Sequence, residues 1–335
     1  MLKLIKSLSL ILTIIGSSFW AVLAIYFGDS NSNTTQLFIA TAFGIFGLVT
    51  LISLKFVQSR KPILASYFLL FTAILIWWFT AITPSNQRQW QPDVAQLAFA
   101  TRNENLITIN NIRNFDYHSE FDYSPSYYSK TYDLNKLEGI SLFAIYWMGP
   151  AIAHTILSFN FGDNNHLAIS IEARKEQGEG YSTIKGFFRQ YELIYIVADE
   201  RDVIRLRTNY RKDPVENAYL YPLQLSPEIA RQIFLEYINK INDLHEKPSF
   251  YNTLINNCTT EVWYNTRITA NHLPFSWKIL VSGYVPEYLY ESNILDTKTP
   301  FEYLQQQVHI NTKAHAADQA TDFSRLIRVG IESFQ

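Results

Sequence analysis

Cys258 is the only cysteine among 335 residues. An internal disulfide is therefore excluded, and the thiol is left with packing, metal ligation or nucleophilic attack. It lies in the stretch Tyr251-Asn-Thr-Leu-Ile-Asn-Asn-Cys258-Thr-Thr-Glu-Val-Trp263. Asn256 and Asn257 are turn formers, and Thr259 to Trp263 can open a helix with Glu261 early in its first turn. This order predicts a thiol at a helix N-terminus, where unpaired N–H groups and the helix dipole favour the thiolate. The plainer alternative is a buried cysteine that packs as a small hydrophobe.

A thiolate nucleophile needs a base, most often His, and a third group to orient that base. Of the seven histidines, His154 stands apart. It follows Gly149-Pro-Ala-Ile-Ala153 and begins an apolar strand pattern, so it is either a satisfied core residue or a functional one. His118 lies in a Tyr-rich loop, His166 beside a turn, and His245 at a helix end where capping suffices. His272, His309 and His315 fall in polar late segments. Strand register supplies the third group. If the turn at Gly162 to Asn165 has an odd number of loop residues, Glu172 shares a sheet face with His154; an even loop puts them on opposite faces. Ser170 shares the face of Glu172. Glu172 is thus the conditional orienter, with surface salt bridging as the alternative. The Cys258 backbone N–H, with Tyr251 or Asn257, is the expected source of an oxyanion hole.

These residues need strands and helices to hold them. Leu106 to Ile112 alternates as a half-buried strand does, and Ile140 to Trp147 is a continuous apolar run suited to a buried one. Thr155 to Phe161 and Leu167 to Ala173 flank Gly162-Asp-Asn-Asn165, a strong hairpin signal. Leu193 to Val197 and Val203 to Leu206 flank Asp199-Glu-Arg-Asp202, which reads as a second hairpin. Tyr219 to Leu225 closes the strand run. Ser226-Pro227-Glu228 then opens a helix, with Ser as N-cap and Pro in the first turn. Ile229, Ile233, Phe234, Tyr237, Ile238 and Ile241 recur along it at helical spacing. Shorter helices are expected near Phe275 to Leu280 and Glu287 to Glu291. Strands followed by helices in residues 85–300 predict an α+β domain, with a polar, loosely held tail over 301–335.

Residues 1–84 differ in kind. Three apolar segments, at about 8–27, 37–54 and 63–82, each approach the roughly 20 residues that cross a bilayer. A cleaved signal peptide is the competing reading of the first, but two more spans follow it directly. Lys3 and Lys6 precede the first span, and Lys55, Arg60 and Lys61 fill the second loop. The first loop, Gly28 to Gln36, holds Asp29 and no Lys or Arg. The positive-inside rule then places the N-terminus in the cytoplasm and the C-terminal domain across a bacterial inner membrane, in the periplasm. A net charge of −2 argues against nucleic acid as a partner. No P-loop, dinucleotide fingerprint or zinc-ligand cluster is present, so neither cofactor nor metal is expected.

Ala153-His-Thr-Ile-Leu-Ser-Phe159, followed about a hundred residues later by Asn256-Asn-Cys-Thr-Thr260, resembles the bacterial family of the Lnb N-terminal periplasmic domain. The approach Tyr251-Asn-Thr253 belongs to the same resemblance, which spans roughly Trp147 to Thr266. It implies lipoprotein N-acyl transfer, with Cys258 as nucleophile and His154 as base. The His-before-Cys order also resembles circularly permuted papain-like enzymes such as the lecithin:retinol acyltransferase group. The three N-terminal spans are a departure from the family pattern.

The leading expectation is a membrane-anchored, thiol-dependent acyltransferase or hydrolase acting on membrane lipid or lipoprotein acyl groups. A papain-like peptidase or amidase acting on cell-wall peptide would use the same pair in a polar groove. A non-catalytic envelope protein that only binds lipid or a partner would leave Cys258 and His154 apart, or both packed in apolar surroundings.

Overall fold

The computed structural model describes residues 1–28, 33–270 and 272–331. Asp29, in the first loop, and the last four positions of the expected tail lie outside them. The chain divides into two compact units. One comprises Met1–Ser85, Gly180–Glu192 and Phe250–Thr253; the other comprises Asn86–Glu179, Leu193–Ser249 and Leu254–Gln335.

The first unit is built on α1 (Leu2–Phe27), α2 (Asn33–Phe56) and α3 (Lys61–Thr80). All three are long and apolar enough to cross a membrane. Pro62 stands in the first turn of α3, where its missing N–H costs nothing. Where water is absent a buried hydroxyl must find a partner, and Tyr67 meets Ser17 at 2.7 Å and Ser18 at 2.8 Å. Gly47 makes room for this cluster, since a Cβ there would collide with the Ser18 side chain. The segment Gly180–Glu192 packs on the helix ends. Phe188 is buried with Ala24 and Trp78. Arg189 donates to Trp78 O at 2.8 Å and Ile82 O at 3.2 Å. Those carbonyls sit at the end of α3, where no further turn can satisfy them.

The second unit is a mixed domain around an eight-stranded, mostly antiparallel sheet. Its strands are β1 (Phe99–Asn103), β2 (Leu106–Arg113), β5 (Tyr127–Asp133), β6 (Gly139–Tyr146), β7 (Ala153–Asn160), β8 (His166–Arg174), β9 (Glu192–Ala198) and β10 (Asn217–Pro222), while β3 (Asp116–Tyr117) and β4 (Tyr123–Ser124) form a separate pair. The order is β1-β2-β9-β8-β7-β6-β10, with β5 on β2. One face carries α5 (Pro227–Glu246), whose Phe234 and Tyr237 meet Phe159 of β7. Ser226 caps α5 through the Ile229 N–H, as its sequence predicts. The other face buries Phe143, Ile145, Ile156 and Ala168 against Ile310, Ala314, Phe323 and Ile327. The remaining helices are α4 (Glu200–Arg205), α6 (Thr260–Thr266), α7 (Trp277–Leu280), α8 (Val285–Glu291), α9 (Phe301–Gln307), α10 (Asn311–Ala316) and α11 (Phe323–Ile327).

Two expectations need correction. Val203 to Leu206 is not a strand: Glu200–Arg205 is α4, and Leu206–Tyr210 continues as a wider turn. Glu200 and Asp202 occupy the first turn of α4 and favour its N-terminus. Residues 301–331 are not a loose tail. They form α9 to α11 and close the core, because Ile310, Ala314, Ala317, Phe323 and Ile327 share one buried side. Residues 308–310 also run beside β10, with Leu220 N donating to Val308 O and Ile310 N donating to Ala218 O at 2.8 and 3.0 Å.

Candidate active site

β7 and β8 pair with Asn160 opposite His166, so Phe161 to Asn165 make an odd loop. The same register pairs Ile156 with Ser170 and, continued one period, sets Glu172 across from His154. The side chains meet accordingly. His154 Nε2 lies 2.8 Å from Ser170 Oγ. Ser170 donates to Glu172 Oε1 at 2.7 Å. His154 Nε2 and Glu172 Oε1 are themselves 3.6 Å apart. Ser170 therefore bridges histidine and carboxylate. Behind Glu172 stands Arg207, 3.2 Å away, whose other arm reaches Glu216 at 3.1 Å. His154, Arg207 and Glu216 are all buried.

The lead-in to His154 is held from downstream. Ala153 N donates to Ser282 Oγ at 3.0 Å, and Gly283 N donates to Ala151 O at 3.0 Å. Tyr146 Oη donates to Gly283 O at 2.7 Å. A side chain at Gly283 would run into the Pro150 carbonyl and the Ala151 backbone. Close backbone approach is what glycine permits.

Cys258 immediately precedes Thr259, the N-cap residue of α6. Asn257 Oδ1 accepts from the Thr259 and Thr260 N–H groups at 2.9 and 3.0 Å, and Asn257 N donates to Thr260 Oγ1 at 3.0 Å. The Asn257 carboxamide thus shapes the turn that presents the thiol. Thr155, the neighbour of His154, donates its hydroxyl to Cys258 O at 2.9 Å and docks the turn on β7. α6 is fixed further down by Tyr195, which donates to Glu261 at 3.0 Å and accepts from Asn265 at 3.0 Å. Among the described residues no acceptor is bonded to the Cys258 N–H.

The partly exposed thiol lies within the electrostatic reach of the His154 imidazole. With Nε2 given to Ser170, Nδ1 is the nitrogen left for sulfur. Burial pushes the thiol up, but the charge of His154, its hydrogen bond and those from the Thr155 N–H and the Thr259 hydroxyl outweigh it and bring the thiol down to about 7. For His154, burial and the Arg207 charge push down; Cys258 and Glu172 prevail, and the imidazole ends above its ordinary value. Burial alone would raise Glu172, yet Arg207 and His154 hold it well below the carboxylate range. All three directions favour a thiolate–imidazolium pair beside a fixed carboxylate. The helix contributes less than its position promises, since α6 has only seven residues.

Residues 123–283 match the family model of the Lnb N-terminal periplasmic domain. The matched segment contains Cys258, His154, Ser170, Glu172, Arg207 and Glu216. No curated protein and no solved structure matches the chain. Together with the three apolar helices, the match supports a membrane-anchored protein with a periplasmic domain.

Sequence reasoning brought Cys258, His154 and Glu172 together and left Ser170 as a neighbour without a role. Tyr251 is placed in the other unit, where its N–H donates to Tyr191 O at 2.9 Å and its hydroxyl lies 3.4 Å from that of Tyr181. Arg207, Glu216, Thr155 and Thr259 were missed. The parity that pairs His154 with Glu172 points Thr155 to the opposite face, and only the position of α6 reveals its use. Three of the other histidines are engaged elsewhere: His245 in the last turn of α5, His309 on the ring of Tyr219, and His315 on Thr208 O.

Proposed function

We propose that the protein is a membrane-anchored, thiol-dependent acyltransferase or hydrolase with Cys258 as nucleophile and His154 as general acid–base. The observation that carries this reading is an imidazole tied through Ser170 to Glu172, whose charge acts on the Cys258 thiol. The Cys258 thiolate attacks an ester or amide carbonyl, and the developing oxyanion takes the Cys258 N–H. His154 then protonates the leaving alcohol or amine, and a thioester remains on Cys258. An amine or water attacks the thioester, His154 accepts its proton, and the thiolate is restored. Glu172 keeps the imidazole oriented and favours its charged form.

The His-before-Cys order, on a strand and before a helix, supports a permuted papain-like arrangement. Anchoring supports a lipid or lipoprotein acyl substrate, because such a donor is confined to the bilayer. The Lys and Arg placement supports a cytoplasmic N-terminus. Membranes holding the full chain, given a phospholipid labelled in its acyl chain, should yield an acyl adduct on Cys258 that hydroxylamine releases. Cys258→Ser should carry no hydroxylamine-labile label. A wild-type chain that never acquires label would overturn the acyl reading.

A further inference from the structure

The domain that carries Cys258 exposes large apolar side chains on the segments that frame the site. Met148 is 67% and Ile152 36% exposed in the loop leading to His154. Tyr264 and Ile268 are 41% and 58% exposed on and just after α6, which Cys258 precedes. Phe275 and Trp277 are 55% and 57% exposed where the chain enters α7. These segments are joined. Trp263 packs edge-on against Phe275 at 5.5 Å and beside Tyr264 at 5.1 Å. Trp277 lies 5.4 Å from Tyr284, in the turn whose Ser282 and Gly283 bond to Ala153 and Ala151. These linked segments make an apolar lip beside the lead-in to His154 and the helix that Cys258 precedes.

We propose that this lip is a membrane-docking surface, seated in the interfacial layer of the bilayer that α1 to α3 cross. Water-soluble domains rarely leave so many neighbouring large apolar groups uncovered without a partner. This chain brings its partner with it, because three spans confine the domain to a bilayer surface. The composition suits that layer. Trp and Tyr with an apolar body and a polar tip favour headgroup depth, and Arg267, exposed with its guanidinium 5.6 Å from the Trp263 ring, can extend toward phosphate. Lys278 is tied to Glu291 at 2.7 Å and to Glu287 at 3.4 Å, so this end of the lip adds little free positive charge. Docking is accordingly apolar in origin and persists at high salt. The proposal rests on the membrane anchoring of the preceding reading and not on its chemistry.

The test uses the full chain with Cys258→Ser, which removes the only thiol, reconstituted in phosphatidylcholine vesicles. A single cysteine is introduced as Ile268→Cys or, for comparison, as Phe121→Cys, a position 87% exposed in the β3–β4 turn. Each carries a small fluorophore. Lipid brominated high in the acyl chain should quench the label at 268, and aqueous iodide should reach it roughly tenfold less well than at 121, as burial several ångströms into the interface requires. Equal iodide access at both positions, without lipid quenching, overturns the proposal. Concentration-dependent self-quenching at 268 without lipid quenching also overturns it, and assigns the lip to a second copy of the chain. Neither readout depends on catalysis, so failure of the acyl chemistry and failure of docking are told apart.

Discussion

Replacing His154 by Ala removes the charge and the hydrogen bond that hold the Cys258 thiol at about 7. At pH 6 such a thiol is about one-tenth ionised, whereas an ordinary one near 8.5 is about 0.3% ionised. The native protein therefore carries roughly thirty times more thiolate. A more acidic thiol is also a weaker nucleophile, and a Brønsted slope of about 0.45, as in thiol exchange, takes back roughly fivefold. Iodoacetamide labelling at pH 6 should thus be about sixfold faster in the native protein than in His154→Ala. In the variant burial is opposed only by the hydrogen bonds from the Thr155 N–H and the Thr259 hydroxyl. At pH 9 both forms are largely ionised and the order inverts, with the variant roughly three- to fourfold faster. The chain has one cysteine, so incorporated label reports Cys258 alone. Superimposable profiles for the two proteins, or one order of rates at both pH values, would refute the coupling and leave a structural cysteine.

Ser170→Ala cuts the bridge between His154 and Glu172 while leaving the carboxylate paired to Arg207. The labelling midpoint should rise, but by less than in His154→Ala, and Ser170→Thr should restore most of it; a midpoint unmoved by Ser170→Ala would remove Ser170 from the relay. Gly283→Ala forces a methyl against the Pro150 and Ala151 backbone, which has no rotamer to yield. A loss of about 1–3 kcal/mol in denaturant unfolding, with slower Cys258 labelling, is expected, and native stability in that variant would show the contact to be slack. Glu200 is buried and meets Arg328 at 2.6 Å; burial pushes its carboxyl up, but the charges of Arg328 and His166 and the hydrogen bonds from Arg328 and Ser158 bring it down to about 2. Its folded value lies below its unfolded one, so its contribution, on the order of 3 kcal/mol, is complete above about pH 4.5 and lost as pH falls toward 2. Acid unfolding of Glu200→Gln should be flatter across that window, and an unchanged slope would assign the acid sensitivity to other carboxylates.

The central pair of the site was legible because it depends on parity and turn chemistry, both local. An odd loop after Asn160 is enough to put Glu172 across from His154, and the Asn-Asn-Cys-Thr-Thr run is enough to predict a turn into a helix. The three spans were legible for the same reason: length and composition decide them. Val203 to Leu206 failed because a short apolar run suits a strand or a buried helix equally, and the acidic residues before it were read as a turn when they begin α4. Arg207 was lost with that error. Neither its distance from Glu172 in sequence nor its neighbours mark it as the partner of that carboxylate. Residues 301–331 look polar when averaged, yet their apolar side chains recur on one buried side, so average composition misled where spacing would not.

The strip at Val308 to Ile310 has a consequence for how the chain reaches its folded state. β10 is the last strand on its side of the sheet, and the backbone groups of Ala218 and Leu220 are met by those three residues. An uncovered edge of this kind is a template for pairing with another chain. Until residues 308–331 have packed onto it, the domain holds its cysteine and histidine but presents an open edge beside unroofed Phe143 and Ile145. A chain truncated just before Val308 would keep every residue assigned to the chemistry and be lost to aggregation.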